Sequence, residues 1–196
     1  MHAWRERAGP TLAGMAQQYD ALDDRLTRFI EAQHLYFVAT AARDGRVNVS
    51  PKGLDSLRVV SPTRVVWLNG TGSGNETAAH LLDVPRMTIM FCSFERQPLI
   101  LRLYGTARAV HEPDPEWPDL LALFPPMKGS RNIFVLDIDL VQTSCGYGVP
   151  FLEFTGDRPL MDSWAERKGE DGLVAYQQEK NRTSIDGFPT GLPDAD

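Results

Sequence analysis

Two cysteines in 196 residues, Cys92 and Cys145, are too few for a disulfide framework, and neither lies in a CxxC pair or beside a histidine at metal-ligand spacing. The four histidines, His2, His34, His80 and His111, are scattered, so no metal site is expected. Basic charge is also scarce. Against 26 Asp and Glu stand 20 Lys and Arg, a net charge of −6 that gives no general attraction to nucleic acid or to an anionic membrane. No apolar run approaches the ~20 residues that a membrane helix needs. The opening MHAWRERAGPTLAGMAQQY holds no apolar stretch of signal-peptide length, so a cytoplasmic location is expected. The rest of the composition, 42% hydrophobic and 23% charged, suits one globular domain and excludes wholesale disorder.

Residues 1–17 are polar, carry Gly9 and Pro10 and lack periodicity, the pattern of a flexible N-terminal arm. Asp20 is placed to cap a helix whose apolar residues Leu22, Leu26, Phe29 and Ile30 fall on one face. Short β-type segments follow at 35–42 and 46–50, joined by RDGR with its Asp44-Gly45 turn signal, then at 57–60, 64–69, 87–94, 99–110 and 132–141. Most links between these six or seven strands are too short for parallel crossovers. Short helices are expected at about 75–83 and 116–124. The pattern predicts a mainly β protein, an antiparallel barrel with inserted helices over 18–150. Residues 151–196 read as a C-terminal extension, helical in two pieces over 158–181 broken at Gly169 and Gly172, followed by a loop-like tail.

The stretch 64–83, RVVWLNGTGSGNETAAHLLD, runs from a strand through Gly70, Gly72 and Gly74 into a helix start. Glycine lets backbone approach a ligand closely, and Ser73, Asn75 and Thr77 add donors beside the helix amides, the build of an anion site. It is neither a Walker A loop nor a dinucleotide fingerprint. The plainer reading is a capped helix after a flexible loop, with Ser73 or Asn75 as cap. Lys52 ends the strand segment VNVSPK, where a lysine is ordinarily just solvated. Arg102 in LILRLYG opposes Leu101 and Leu103 in phase, and is either an outward charge or a buried guanidinium with an anionic partner. Lys52, Arg102 and the glycine-rich turn would make a phosphate cradle if the barrel brings them together. TSCGYGVP at 143–150 reads as a tight loop at a pocket edge. Cys145 in that loop has no assignable base and is read as a small packed residue rather than a nucleophile. His80 reads as helix surface or packing, and Asp186-Gly187 as a simple turn.

The order of hairpin, SPKG, strand, GTGSGNET helix start, PRMTIMF and LRLYGTAR resembles the pyridoxamine 5′-phosphate oxidase-like family of FMN-binding split barrels over roughly 22–150. It is closest to the branch that carries SPKG, GSGNET and SCGYGVP together. The resemblance implies an antiparallel split β-barrel of Greek-key type, and FMN as cofactor, with the deazaflavin of related barrels as the alternative. It also implies a homodimer with the flavin at its interface and oxidoreductase activity on an unidentified small molecule. A flavin-sequestering protein without turnover is the alternative. By position it implicates Ser50 and Lys52, then Asn69, Ser73, Asn75 and Thr77, then Arg102, and finally Ser144, Cys145 and Gly146 beside the flavin ring. Two departures stand out. The positions aligned with the family's basic pair at the helix start are Glu76 and Thr77, and the C-terminal Arg-x-His motif is absent, Arg158 being followed by Pro159 and Leu160. Oxidation of vitamin B6 phosphates is therefore not expected, and no catalytic residue is assigned.

Overall fold

The two longest runs of strand-forming residues become the centre of the sheet in the computed structural model, which describes residues 17–195. Among the described residues eight strands form one antiparallel sheet: β1 (Gln17–Tyr19), β2 (Tyr36–Thr40), β3 (Asn48–Lys52), β4 (Leu57–Ser61), β5 (Arg64–Gly70), β6 (Arg86–Cys92), β7 (Ile100–Val110) and β8 (Ser130–Ser144). Four helices accompany them there, α1 (Asp24–Glu31), α2 (Glu76–Asp83), α3 (Trp117–Leu121) and α4 (Leu160–Lys180). The strand order is β3-β2-β6-β7-β8-β5-β4, with β1 paired to the C-terminal part of β8. The sheet is split rather than closed, and β3 and β4 are its edges.

Alternation decides which side chains face the core. Tyr36 and Val38 of β2, Ile89 and Phe91 of β6, and Leu101, Leu103 and Ala107 of β7 are buried together with Leu26 and Ile30 of α1. Strands β5 and β8 are covered on both faces. Val65, Trp67, Phe134 and Leu136 join the main core, while Val66, Leu68, Ile133 and Val135 pack with Trp117 and Phe124 in a second one. That double burial explains why RVVWL and IFVL read as unbroken apolar runs rather than alternating ones. On β8 the pairing with β7 jumps from Tyr104↔Leu140 to Gly105↔Ile138. Asp139 is the extra residue of this bulge, so the inward positions switch from Phe134, Leu136 and Ile138 to Val141.

Several expectations are corrected. The strand count is eight, because Gln17–Tyr19 pairs with Val141–Thr143; the rest of the expected arm, 1–16, lies outside the described residues. Helix α1 is capped by Asp23 rather than Asp20, with the Leu26 amide donating to Asp23 Oδ1 at 2.7 Å. The chain leaves β1 only at Tyr19 and ties the Leu22 amide to Pro62 O before the helix can begin. In α4 the break falls at Gly169 alone (φ 69°, ψ 171°), and Gly172 stays helical. No helix of the described residues is long and apolar enough to cross a membrane.

Candidate functional site

Directly opposed residues of an antiparallel pair project to the same face. On β3, Asn48, Ser50 and Lys52 oppose Thr40, Val38 and Tyr36, all three buried. The three β3 side chains therefore turn inward from an edge strand. They meet the end of β5, the turn at 70–75 and the start of α2 around a cleft of about 610 Å³. Ser50 Oγ donates to Asn48 Oδ1 (3.1 Å) and Asn48 Nδ2 donates to Thr77 Oγ1 (3.2 Å), which ties the edge strand to the helix. Asn75 occupies the N-cap position but makes no capping bond. Its Nδ2 points to Asn181 O at 3.4 Å, and its buried Oδ1 has no partner. The plain capping role is thus not what this side chain performs.

The charges of the cleft are unusual. Lys52 Nζ stands 4.8 Å over the Trp67 ring. Burial first, and repulsion from Arg131 second, push its pKa down to about 8. Arg131, at the start of β8, is 7% exposed. Its Nη1 donates to Gly74 O (3.0 Å) and to Asn181 Oδ1 (2.5 Å), while its buried Nε has no partner. Burial pulls its pKa down to about 10. Neither cation is ion-paired with a carboxylate among the described residues. Two desolvated like charges without a counter-ion oppose folding, and an anion bound between them relieves both.

The remaining wall comes from the tail, where Thr183, Ser184 and Ile185 line the cleft near Lys180. Glu76 stands where the resemblance calls for a base. Its carboxylate accepts the Ile185 amide with both oxygens, at 3.0 and 3.1 Å. His80 is buried, its Nδ1 3.0 Å from Thr40 Oγ1, a packing role. Asp186-Gly187 is a turn, and Asp186 also pairs with Arg46.

Of the ten residues expected from the sequence, Ser50, Lys52, Asn69, Ser73, Asn75 and Thr77 line this cleft, and four do not. Arg102 opposes Met90 and Gln142, on the face away from Leu101 and Leu103, and its Nη1 donates to Ser144 Oγ at 3.1 Å. Cys145 follows Ser144 and is exposed. Gly146 lies so near Leu99 that a Cβ would sit 3.0 Å from Leu99 N. The expected cradle of Lys52, Arg102 and the turn is not assembled within one chain. Arg131 is the second cation of the cleft. Sequence reasoning passed over Arg131, Trp67, Lys180 and the tail; only Arg131 carried a usable signal, as a charge opening the apolar run IFVL.

Lys52 supplies a pH test. It is charged below about 8 and neutral above, so affinity for inorganic phosphate or FMN should hold near pH 7 and decline above pH 8. The ligand-free protein should respond in the opposite sense. An unfolded Lys keeps its proton up to 10.5, so between about 8 and 10.5 the unfolded state binds more protons and stability rises with pH. Calorimetric titration at pH 7 and pH 9.5 checks the first statement, and a flat affinity would remove Lys52 from the site.

A split antiparallel sheet with a glycine-edged, cation-lined cleft defines a class of small split-barrel protein. Residues 22–145 match the family model described as pyridoxamine 5′-phosphate oxidase, and the chain belongs to that family. It is similar to the pyridoxamine 5′-phosphate oxidase family protein ustO of Aspergillus flavus, with 39% identity over 191 residues, 87% of this chain and 76% of that protein. Among solved structures, the tagged HupZ protein of Group A Streptococcus aligns with a TM-score of 0.51 and 22% identity over 61% of this chain and 91% of the other. That likeness is one of fold.

Proposed function

We propose that this is a cytoplasmic FMN-binding flavoprotein, holding the FMN phosphate between Lys52 and Arg131 and acting as an oxidoreductase on an unidentified small molecule. The observation that carries the reading is the pair of desolvated cations, Arg131 buried and Lys52 half-buried, neither ion-paired with a carboxylate among the described residues. A phosphate monoester brings about −1.5 to −2 charges at neutral pH. The Ser50 and Thr77 hydroxyls add neutral partners, and the side chain of Asn75 leaves the α2 amides uncapped. Family membership supports a flavin. Once bound, the flavin supplies the electron and hydride chemistry, while the chain binds and orients it. Pyridoxal phosphate compounds are not its substrates in this reading, because the Arg-x-His motif is missing.

The working unit in this proposal is a homodimer. Arg102, Ser144, Cys145 and Gly146 lie away from the cleft, so they would reach its flavin only from a second copy, as a site shared between two chains requires. Light scattering of the flavin-loaded protein should give the mass of two chains. A mass of one chain with flavin bound would overturn the dimer.

The absorbance spectrum of the purified protein, with mass spectrometry of the released chromophore, tests the cofactor. FMN is the expected result, and a deazaflavin or no chromophore overturns it. Bleaching by a nicotinamide cofactor followed by reoxidation with an acceptor separates an oxidoreductase from a sequestering protein.

A further inference from the structure

We propose that residues 181–190 form a latched strap over the anion cleft, that Glu76 is the positioning residue holding it shut, and that its opening sets the exchange rate of the bound phosphate compound. The proposal rests on the reading of the cleft as a phosphate site.

The base of the strap is rigid. Asn181 and Thr190 are buried, and Thr190 Oγ1 donates to Asn181 O at 2.6 Å. Asn181 Nδ2 donates to Gly72 O at 2.9 Å, and its Oδ1 accepts from Arg131. Between these ends the chain doubles back. Thr183 bridges Pro189, and Gly187 takes the left-handed φ of 84° that the turn requires. The inner arm of this turn, Thr183 to Ile185, is the wall of the cleft.

Among the described residues, the hydrogen bonds that tie the tip to the rest of the protein run through two carboxylates. Glu76 grips the Ile185 amide from the cleft side. On the far side Asp186 accepts the Arg46 amide at 2.7 Å and pairs with the Arg46 guanidinium. Gly45 makes room for this landing, since a Cβ there would lie 2.6 Å from Asp186 Oδ2. Ile185 and the Arg46 side chain are each 72% exposed, while the Asp186 side chain is only 9% exposed, so water competes for the latches from the Ile185 and Arg46 ends. A buried base with a tip exposed at Ile185 and Gly187 is the build of an element that opens locally while the fold stays intact.

Glu76 also couples the strap to the ligand. It lines the same cleft as Lys52 and Arg131. With the strap shut, its oxygens are engaged by the Ile185 amide. The carboxylate is charged in both states, but with the strap open it loses the partial positive charge of that amide and repels the phosphate more strongly. Closure and phosphate binding therefore favour one another, and the coupling is reciprocal.

The test compares release of FMN from the loaded full chain and from two variants. Asp186→Ala unlatches the tip and leaves the Glu76 charge in place, so release should be faster by about tenfold, the scale of one lost charge-assisted hydrogen bond. Glu76→Gln keeps an acceptor for Ile185 and removes the repulsion, so its release should stay slower than that of Asp186→Ala. Hydrogen exchange at 183–187 should be slowed by FMN in the unaltered protein and not in Asp186→Ala. Release from Asp186→Ala within about twofold of the unaltered rate overturns the strap, the change being small beside a single such bond. So does Glu76→Gln releasing as fast as Asp186→Ala. If the unaltered protein binds no FMN, the flavin reading alone has failed, and the same exchange measurement with inorganic phosphate decides. Slowing at 183–187 supports the strap, and unchanged exchange overturns it.

Discussion

Arg131→Ala is expected to strip the protein of FMN, with a loss of affinity on the order of a hundredfold to a few thousandfold. Two charge-assisted contacts, together about 3–5 kcal/mol, would be lost. The effect should exceed that of Lys52→Ala, on the order of tenfold to a few hundredfold by the same scale for a single contact. With its pKa near 10, Arg131 keeps nearly full charge at pH 7–8, whereas Lys52, with a pKa of about 8, is already half deprotonated at the upper end of that range. A guanidinium also presents a planar fork, while an ammonium is a point charge. Arg131→Lys should therefore recover only part of the binding. Because Arg131 also holds Gly74 O and Asn181 Oδ1, lost affinity alone could reflect a damaged turn. Riboflavin separates the two. It lacks the phosphate, so its weaker binding should be nearly indifferent to Arg131→Ala, while FMN binding falls toward the riboflavin value. Equal weakening of both ligands would mean that Arg131 supports the fold and does not hold phosphate.

The strands, the inserted helices and the turn at 70–75 were legible because their signals are local: β-branched runs, glycine punctuation and an apolar face. Faces were legible only where one strand sufficed. The phase of Arg102 against Leu101 and Leu103 was correct, and that phase is what keeps it out of the cleft. The face of Lys52 depends on its pairing with Tyr36, which no single segment carries. Arg131 reads locally as a cation beside a turn. Its burial comes from partners 50 and 57 residues away. The tail offers no periodicity at all; its order is made by side-chain bonds to backbone, including one between Glu76 and Ile185 across 109 residues. Strand β8 is longer than its readable core because Asp139 breaks the alternation at the bulge.

That same bulge supports the second large expectation. Gly105→Ala should destabilise the protein by about 3 kcal/mol, at the upper end of what overpacking usually costs. A Cβ at 105 would lie 1.9 Å from Asp137 O, 2.8 Å from Asp137 C and 3.0 Å from Ile138 Cα. All three are backbone atoms of the paired strand, so no side-chain rotation relieves the clash. The only escape is to part β7 from β8 by more than an ångström, the distance by which 1.9 Å falls short of the 3.4 Å at which ordinary contact begins. The gap would open beside Leu103 and Val141, both fully buried, and would loosen the ladder hydrogen bonds on either side. For a chain of this size each kcal/mol is worth roughly 2–4 °C, so the midpoint should fall by roughly 6–12 °C. Gly148→Ala is the matched control, because nothing lies within 4 Å of a Cβ there. Its midpoint should stay within about 2 °C of the unaltered protein, as expected of an exposed site without special geometry. If the two variants melt together, β7 and β8 do not approach as closely at Asp137 as the bulge requires.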